Sequence, residues 1–243
     1  MILLYIAAAL IGALLLYVLY LILWGIGVDM KREYETDSGF HRRLLMDATV
    51  FFFWLLRIRV HITGMEMLPK EPVLVVSNHR SNYDPLVVWY ALRKRKIAFV
   101  SKASNFRIPI FGPLIRRCCF LAIDREDPRK AMQTICKAAS LMENQKLDIG
   151  IYPEGTRNKS CQGLLPFHNG VYKIAKRANA PVAIVCVTGT ENIYKRTPFR
   201  RTDVYLDFLE VLPAEQVQAC RTDAMGKHTE ALLLQTIEKR ERK

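Results

Sequence analysis

The residues best suited to chemistry lie in Ser77-Asn78-His79-Arg80-Ser81-Asn82-Tyr83-Asp84-Pro85. His79 and Asp84 stand five residues apart across a polar, turn-forming tetrapeptide. A loop of that length can fold back and bring the carboxylate to the imidazole. A carboxylate on Nδ1 fixes the tautomer and leaves Nε2 free as a base. Plainer readings compete. Asp followed by Pro makes a good helix N-cap and first-turn pair, and a histidine can simply be packed or solvated.

A second cluster, Tyr152-Pro153-Glu154-Gly155-Thr156-Arg157, combines a permissive Gly155 with the bidentate fork of Arg157. That pairing suits a phosphate. Glu154 is placed to hold Arg157 or to accept from a substrate hydroxyl; a surface turn closed by a salt bridge is the bland alternative. A third cluster, Phe120-Leu121-Ala122-Ile123-Asp124-Arg125, adds Arg125, either as another phosphate ligand or as the partner of Asp124. The fourth, Ala180-Pro181-Val182-Ala183-Ile184-Val185, offers only backbone and packing, with Pro at the allowed start of a strand.

Each of the first three clusters follows an apolar run that reads as a strand, and α/β sheets place ligands beyond the carboxyl ends of their strands. Strand patterns occur at residues 57–62, 73–76, 97–100, 118–123, 147–152, 182–187 and 204–209. Helical spacing occurs at 85–92 and 128–143, and again after Thr222 as an amphipathic helix with a basic end. Strands interleaved with helices predict an α/β fold, a layered and largely parallel mixed sheet flanked by helices.

The chain divides by charge. Residues 1–28 hold no charged side chain, so all 36 Lys and Arg and all 23 Asp and Glu of the 243 residues lie beyond them. Such a run is long enough to cross a bilayer core of about 30 Å, and too long, with no preceding basic residue, for a signal peptide. Lys31, Arg32, Arg42 and Arg43 follow it and predict that the rest lies in the cytoplasm. A second apolar stretch, Leu44–Leu56, holds Asp47 and is short for a span; it reads as an interfacial helix paired with the first, or as a core helix. The expected organisation is a membrane helix over 1–28, a linker and apolar interfacial helix over 29–56, and a catalytic domain over 57–243. The net charge of +13 is concentrated: eleven Lys or Arg against three acids lie between Ala91 and Lys130, densest at Arg93-Lys94-Arg95-Lys96. Beside a membrane segment this predicts anionic lipid or an acidic partner. Nucleic acid is disfavoured, because no aromatic-basic interleaving or zinc spacing accompanies the charge. The six cysteines form no C-x-x-C pair and read as reduced thiols.

Taken in order, the four clusters resemble the blocks of the glycerophospholipid acyltransferase family, and within it the 1-acylglycerol-3-phosphate acyltransferases, over residues 57–210. The family's N-H-x-x-x-x-D block is matched by Asn78, His79 and Asp84, and its F-P-E-G-T-R block by Tyr152–Arg157 with Tyr for Phe. Its I-D-R block is matched by Ile123-Asp124-Arg125 and its V-P-I-V block by Ala180–Val185. Two features depart from the pattern. Phe167-His168-Asn169-Gly170 has His where the family has a basic residue, so charge there requires protonation. Arg116-Arg117-Cys118-Cys119 replaces a customary Gly.

The resemblance implies acyl transfer from an acyl-CoA or acyl carrier protein thioester to the sn-2 hydroxyl of lysophosphatidate, giving phosphatidate. His79 would be the base and Asp84 its orienting partner. Arg157, Arg125 and Lys102 would hold the phosphate, with Glu154, Gly155 and Thr156 completing the acceptor site. No acyl-enzyme, cofactor or metal is implied. Expected partners are membrane lipid (lysophosphatidate and anionic phospholipid) and an acyl carrier protein as one candidate donor. The alternatives are another lysophospholipid or a lyso-aminolipid as acceptor, a metal hydrolase built on His79, Asp84 and Glu154, and a non-enzymatic lipid-binding scaffold.

Overall fold

A computed structural model describes residues 1–160, 162–197 and 200–242. The chain begins with two helices, α1 (Ile2–Ile26) and α2 (Gly39–Leu55). They form an antiparallel hairpin: Trp24 packs on Phe40 near the turn (ring centroids 4.5 Å apart), and Tyr17 meets Phe51 farther along. Within α1, Leu4–Ile26 is long and apolar enough to cross a membrane and is almost wholly unburied. It is the sole such helix among the described residues.

The core-helix reading of 44–56 describes one face of α2. Leu44, Leu45 and Phe53 enter the core, while Phe51, Trp54 and Leu55 point outward, Trp54 with 72% of its surface exposed. A helix is amphipathic in this way when one stripe meets a sheet and the other meets something apolar.

From there the chain alternates strand and helix: β1 (Ile58–Thr63), β2 (Leu74–Ser77), α3 (Asp84–Ala91), β3 (Ile97–Lys102), α4 (Phe111–Arg117), β4 (Leu121–Ile123), α5 (Pro128–Gln145) and β5 (Asp148–Ile151). Then follow α6 (Lys173–Ala178), β6 (Val182–Thr188), α7 (Ile193–Arg196), β7 (Thr202–Leu212), α8 (Ala214–Ala219) and α9 (Thr222–Glu241). The seven strands form one mixed sheet in the order β1-β7-β6-β2-β5-β3-β4. Every pair is parallel except β6–β7. The central strands β2, β5 and β6 are buried along their whole length, as expected of a parallel sheet covered on both faces.

Helix α5 shows the local logic. Asp127 accepts from the backbone N–H groups of Arg129 and Lys130, Pro128 starts the first turn, and Ile135, Ala138, Ala139 and Met142 form the buried stripe. In α9 the stripe is Met225, Thr229, Leu233 and Ile237, one residue per turn.

Two sequence expectations need correction. The strand expected over 118–123 is only Leu121–Ile123; Cys118 and Cys119 close α4, with Cys119 at φ 60°. The basic run Arg93–Lys96 precedes β3 and so sits at the amino end of the parallel strands, opposite the loop bearing His79. Arg95 there is not a free lipid-binding charge. It makes a bidentate pair with Asp148 and also donates to the carbonyls of Pro69 and Glu71, while Asp148 accepts from the N–H of Val73. This knot ties together the starts of β2, β3 and β5.

Candidate active site

Loops leaving the carboxyl ends of β2, β5, β3 and β4 converge at one end of the sheet. The first carries His79. Strand β2 ends at Ser77, and Asn78 then uses its side chain as a substitute strand: Nδ2 donates to the Val187 carbonyl and Oδ1 accepts from the Val187 N–H, both at 2.8 Å. This clamp fixes where the chain leaves the sheet. His79 is then held through its own backbone, its N–H donating to Glu154 Oε1 (2.7 Å) and its carbonyl accepting from Asn158 N–H (2.7 Å).

Asp84 does fold back onto His79. Its Oδ2 lies 2.9 Å from Nδ1 and also accepts from the N–H groups of Arg80 and Ser81, both at 2.7 Å, while Oδ1 accepts from the Thr190 hydroxyl. The helix-cap reading is therefore displaced. Asp84 is the first residue of α3, and its fully buried carboxylate serves the loop behind it. An ionised carboxylate is acceptor-only, so in that state Asp84 takes a hydrogen bond from Nδ1, and Nε2 is the ring nitrogen left facing the open site. The His79 side chain keeps 17% of its surface exposed, and Nε2 has no partner among the described residues. Tyr152 stacks on the imidazole (centroids 4.3 Å, 23°), and Phe99 lies parallel to Tyr152 in turn (6.2 Å, 7°). The Tyr152 hydroxyl is buried without a described partner, and burial drives its pKa up.

Glu154 does different work from that expected. Its carboxylate accepts from the N–H groups of His79 and Leu165 and does not hold Arg157. Burial raises its pKa, and the two amides partly offset the rise. Glu154 thus fastens the loop bearing His79 to the turn after β5. That turn depends on Gly155, whose φ of +68° favours glycine.

The cationic residues fare differently. Arg125 makes no ion pair among the described residues, because Asp124 pairs with Lys130 instead. Its side chain is exposed overall, yet crowding desolvates the guanidinium and lowers its pKa. Its Nε approaches the face of Gly155. Arg157 is half-buried and likewise unpaired among the described residues, and Thr156 is exposed. Lys102 is exposed at the end of β3, opposite Ile123 in the register and thus beside the strand that delivers Arg125. Among the described residues no group of three His, Cys, Asp or Glu is placed to share a metal.

Several residues at the site carry no local sequence signal. Thr190 reaches Asp84 across a separation of 106 positions and Asn78 reaches Val187 across 109. Arg80, next to His79 in the chain, is buried and pairs with Glu241 at the end of α9 (2.9 Å).

A family model described as Acyltransferase matches residues 59–189. The 1-acyl-sn-glycerol-3-phosphate acyltransferase of Salmonella typhimurium is 32% identical over 167 residues, covering 68% of this chain and 66% of that protein. Its namesake in Escherichia coli is 29% identical over 164 residues with the same coverage. A putative 1-acyl-sn-glycerol-3-phosphate acyltransferase of Caenorhabditis elegans is 32% identical over 151 residues, 60% of this chain and 52% of that one. The match therefore spans somewhat under two thirds of the bacterial relatives' length. The crystal structure of the 1-acyl-sn-glycerophosphate acyltransferase PlsC from Thermotoga maritima has the same fold, with a TM-score of 0.67 at 23% identity over 83% of this chain and 82% of that one. With the family model covering more than half of its length, this chain belongs to the acyltransferase family.

Proposed function

We propose that the protein transfers a fatty acyl group from an acyl thioester to the sn-2 hydroxyl of 1-acylglycerol-3-phosphate, producing phosphatidate. The observation that carries this reading is the buried Asp84 on Nδ1 of His79, with Nε2 open at a sheet end that also carries the unpaired guanidiniums of Arg125 and Arg157. The names of the bacterial relatives supply the acceptor.

In this mechanism Nε2 takes the hydroxyl proton as the oxygen attacks the thioester carbonyl. Asp84 holds the ring and stabilises the imidazolium. The tetrahedral intermediate collapses by breaking the C–S bond, and the imidazolium returns the proton to the leaving thiolate. The products are the ester and a free thiol. Arg157, Arg125 and Lys102 hold the acceptor phosphate as charge-assisted hydrogen-bond donors. Tyr152 and Phe99 keep the ring from tilting.

The acceptor is a membrane lipid, and α1 anchors the chain in that membrane with the catalytic domain on the cytoplasmic side, as Lys31, Arg32, Arg42 and Arg43 favour. The outward apolar face of α2 rests on the bilayer surface. The donor is coenzyme A or acyl carrier protein thioester.

The test uses the purified full chain in liposomes, supplied with labelled acyl-CoA or acyl carrier protein thioester and a panel of acceptors. Phosphatidate formed from lysophosphatidate, and abolished in His79→Ala, is the expected result. Selective acylation of a different lysolipid would overturn the acceptor. Near-normal turnover by His79→Ala would overturn the base. Arg157→Ala should raise the acceptor KM far more than the donor KM.

A further inference from the structure

His168 occupies the space that a side chain on Gly155 would need. A Cβ at Gly155 would lie 2.9 Å from His168 Cδ2, 3.1 Å from its Nε2 and 3.9 Å from Arg125 Nε. The backbone N–H of His168 donates to the Pro153 carbonyl (2.8 Å), so its main chain is fastened to the turn that bears Gly155 and Arg157. Its side chain is exposed and bonds to no described residue. The charged group that meets it over Gly155 is Arg125, from the end of β4. The neighbouring acids are committed elsewhere, Glu154 to the N–H groups of His79 and Leu165 and Asp124 to Lys130. An imidazole and a guanidinium thus approach the same point over a glycine.

We propose that His168 is a phosphate ligand of the acceptor site, binding together with Arg125 and most strongly when protonated. This rests on the reading of lysophosphatidate as acceptor. An imidazole changes charge between about pH 5 and 8. A bound phosphate monoester favours the imidazolium, because its negative charge lies against both groups and accepts a charge-assisted hydrogen bond from Nε2. Binding therefore takes up a proton, and affinity for the phosphate-bearing acceptor falls as pH rises. A lysine at this position would keep its charge throughout the range. With histidine, acceptor capture becomes proton-dependent.

The experiment measures binding rather than turnover, so that titration of His79 does not enter. The full-length His79→Ala protein in nanodiscs is titrated with lysophosphatidate between pH 5.5 and 8, alongside the same protein carrying His168→Gln or His168→Lys. The uncharged 1-acylglycerol serves as the phosphate-free control. Because the Lys variant is charged throughout, it reports the ligand's own ionisation. Relative to it, affinity of the His168 protein should fall about tenfold across the range, the gap between charge-assisted and neutral hydrogen bonds. The Gln variant should bind about tenfold more weakly than His168 protein at pH 5.5 and equally at pH 8. A Gln variant that matches the His168 protein at pH 5.5, or a flat His-to-Lys ratio, overturns the role of His168 and leaves the acceptor reading intact. If the parent binds 1-acylglycerol as tightly as lysophosphatidate, or binds lysophosphatidate at no pH, the acceptor reading falls and takes this proposal with it.

Discussion

Replacing Asp84 by Asn separates what its charge does from what its shape does. The carboxylate has four partners: His79 Nδ1, the Arg80 and Ser81 amides, and the Thr190 hydroxyl. An asparagine oxygen in the place of Oδ2 keeps the first three. Its NH2 group then donates to Thr190, whose hydroxyl can accept as readily as it donates. The loop and the His79 tautomer should therefore survive Asp84→Asn, and only the negative charge is lost. The imidazolium formed as His79 takes the proton then faces a neutral amide. Two unit charges about 4 Å apart at an effective dielectric near 20 attract by ~4 kcal/mol. At 1.36 kcal/mol per tenfold in rate, kcat should drop by about 10³. Asp84→Ala removes the acceptors as well, and each orphaned buried donor costs roughly 1–3 kcal/mol, so that variant should also melt at a clearly lower temperature. The assay is thiol release at saturating acceptor and donor, with Tm of each protein in the same detergent. Turnover of Asp84→Asn within tenfold of the parent, at an unchanged Tm, would refute the charge argument. An Asn variant as unstable as the Ala variant would refute the geometric one.

Two further outcomes can be checked directly. Tyr152→Phe keeps the ring stacked on His79 and removes a buried hydroxyl that has no described partner, so the variant should resist denaturant better, by about 1 kcal/mol, with kcat little changed. Lower stability would mean that the hydroxyl has a partner. Trp54→Ser, at the outward end of α2, should raise the KM for acceptor presented in vesicles about tenfold, given roughly 1.5–3 kcal/mol for a large apolar side chain. A short-chain acceptor free in water should show no change, and equal effects on both would remove α2 from the membrane surface.

The parts of the site legible in the sequence are those specified locally. His79 and Asp84 are five residues apart, and the turn at Gly155 needs its glycine where the chain leaves a buried strand. Both can be read from residue types and spacing. The parts that were not legible depend on chain segments brought together only by the sheet. Thr190 and Val187 reach the catalytic loop from β6 and the segment after it. Glu154 looked like a partner for Arg157, two positions away in a polar stretch. Once β5 lies beside β2, its carboxylate instead finds the His79 amide at 2.7 Å. The short helices α4, α6 and α8 show too few turns to establish a periodicity. The basic segment 91–130 is not one patch, for a related reason. A count along the chain merges Arg95, knotted to Asp148 at one end of the sheet, with Arg125 at the other. Parallel strands separate them by the full length of a strand.

The connectivity also explains why an apolar hairpin and a polar catalytic loop are neighbours. Strand β7 runs antiparallel to β6, so its first residues lie at the carboxyl end of β6. Strand β1 is parallel to β7, with Ile58 opposite Thr202, and must begin at that same end. Helix α2 ends at Leu55, three residues before β1, so Trp54 and Leu55 are delivered to the end of the sheet where β2 releases His79. Side-chain contacts complete the link: Phe52 of α2 stacks on Tyr83 of the catalytic loop, and Tyr83 meets the exposed Tyr194 of α7. One antiparallel pair, β6–β7, in an otherwise parallel sheet is thus enough to set the apolar face of α2 at the sheet end that bears His79. Had β1 paired antiparallel to β7, the same helix would end at the opposite end of the sheet, away from His79.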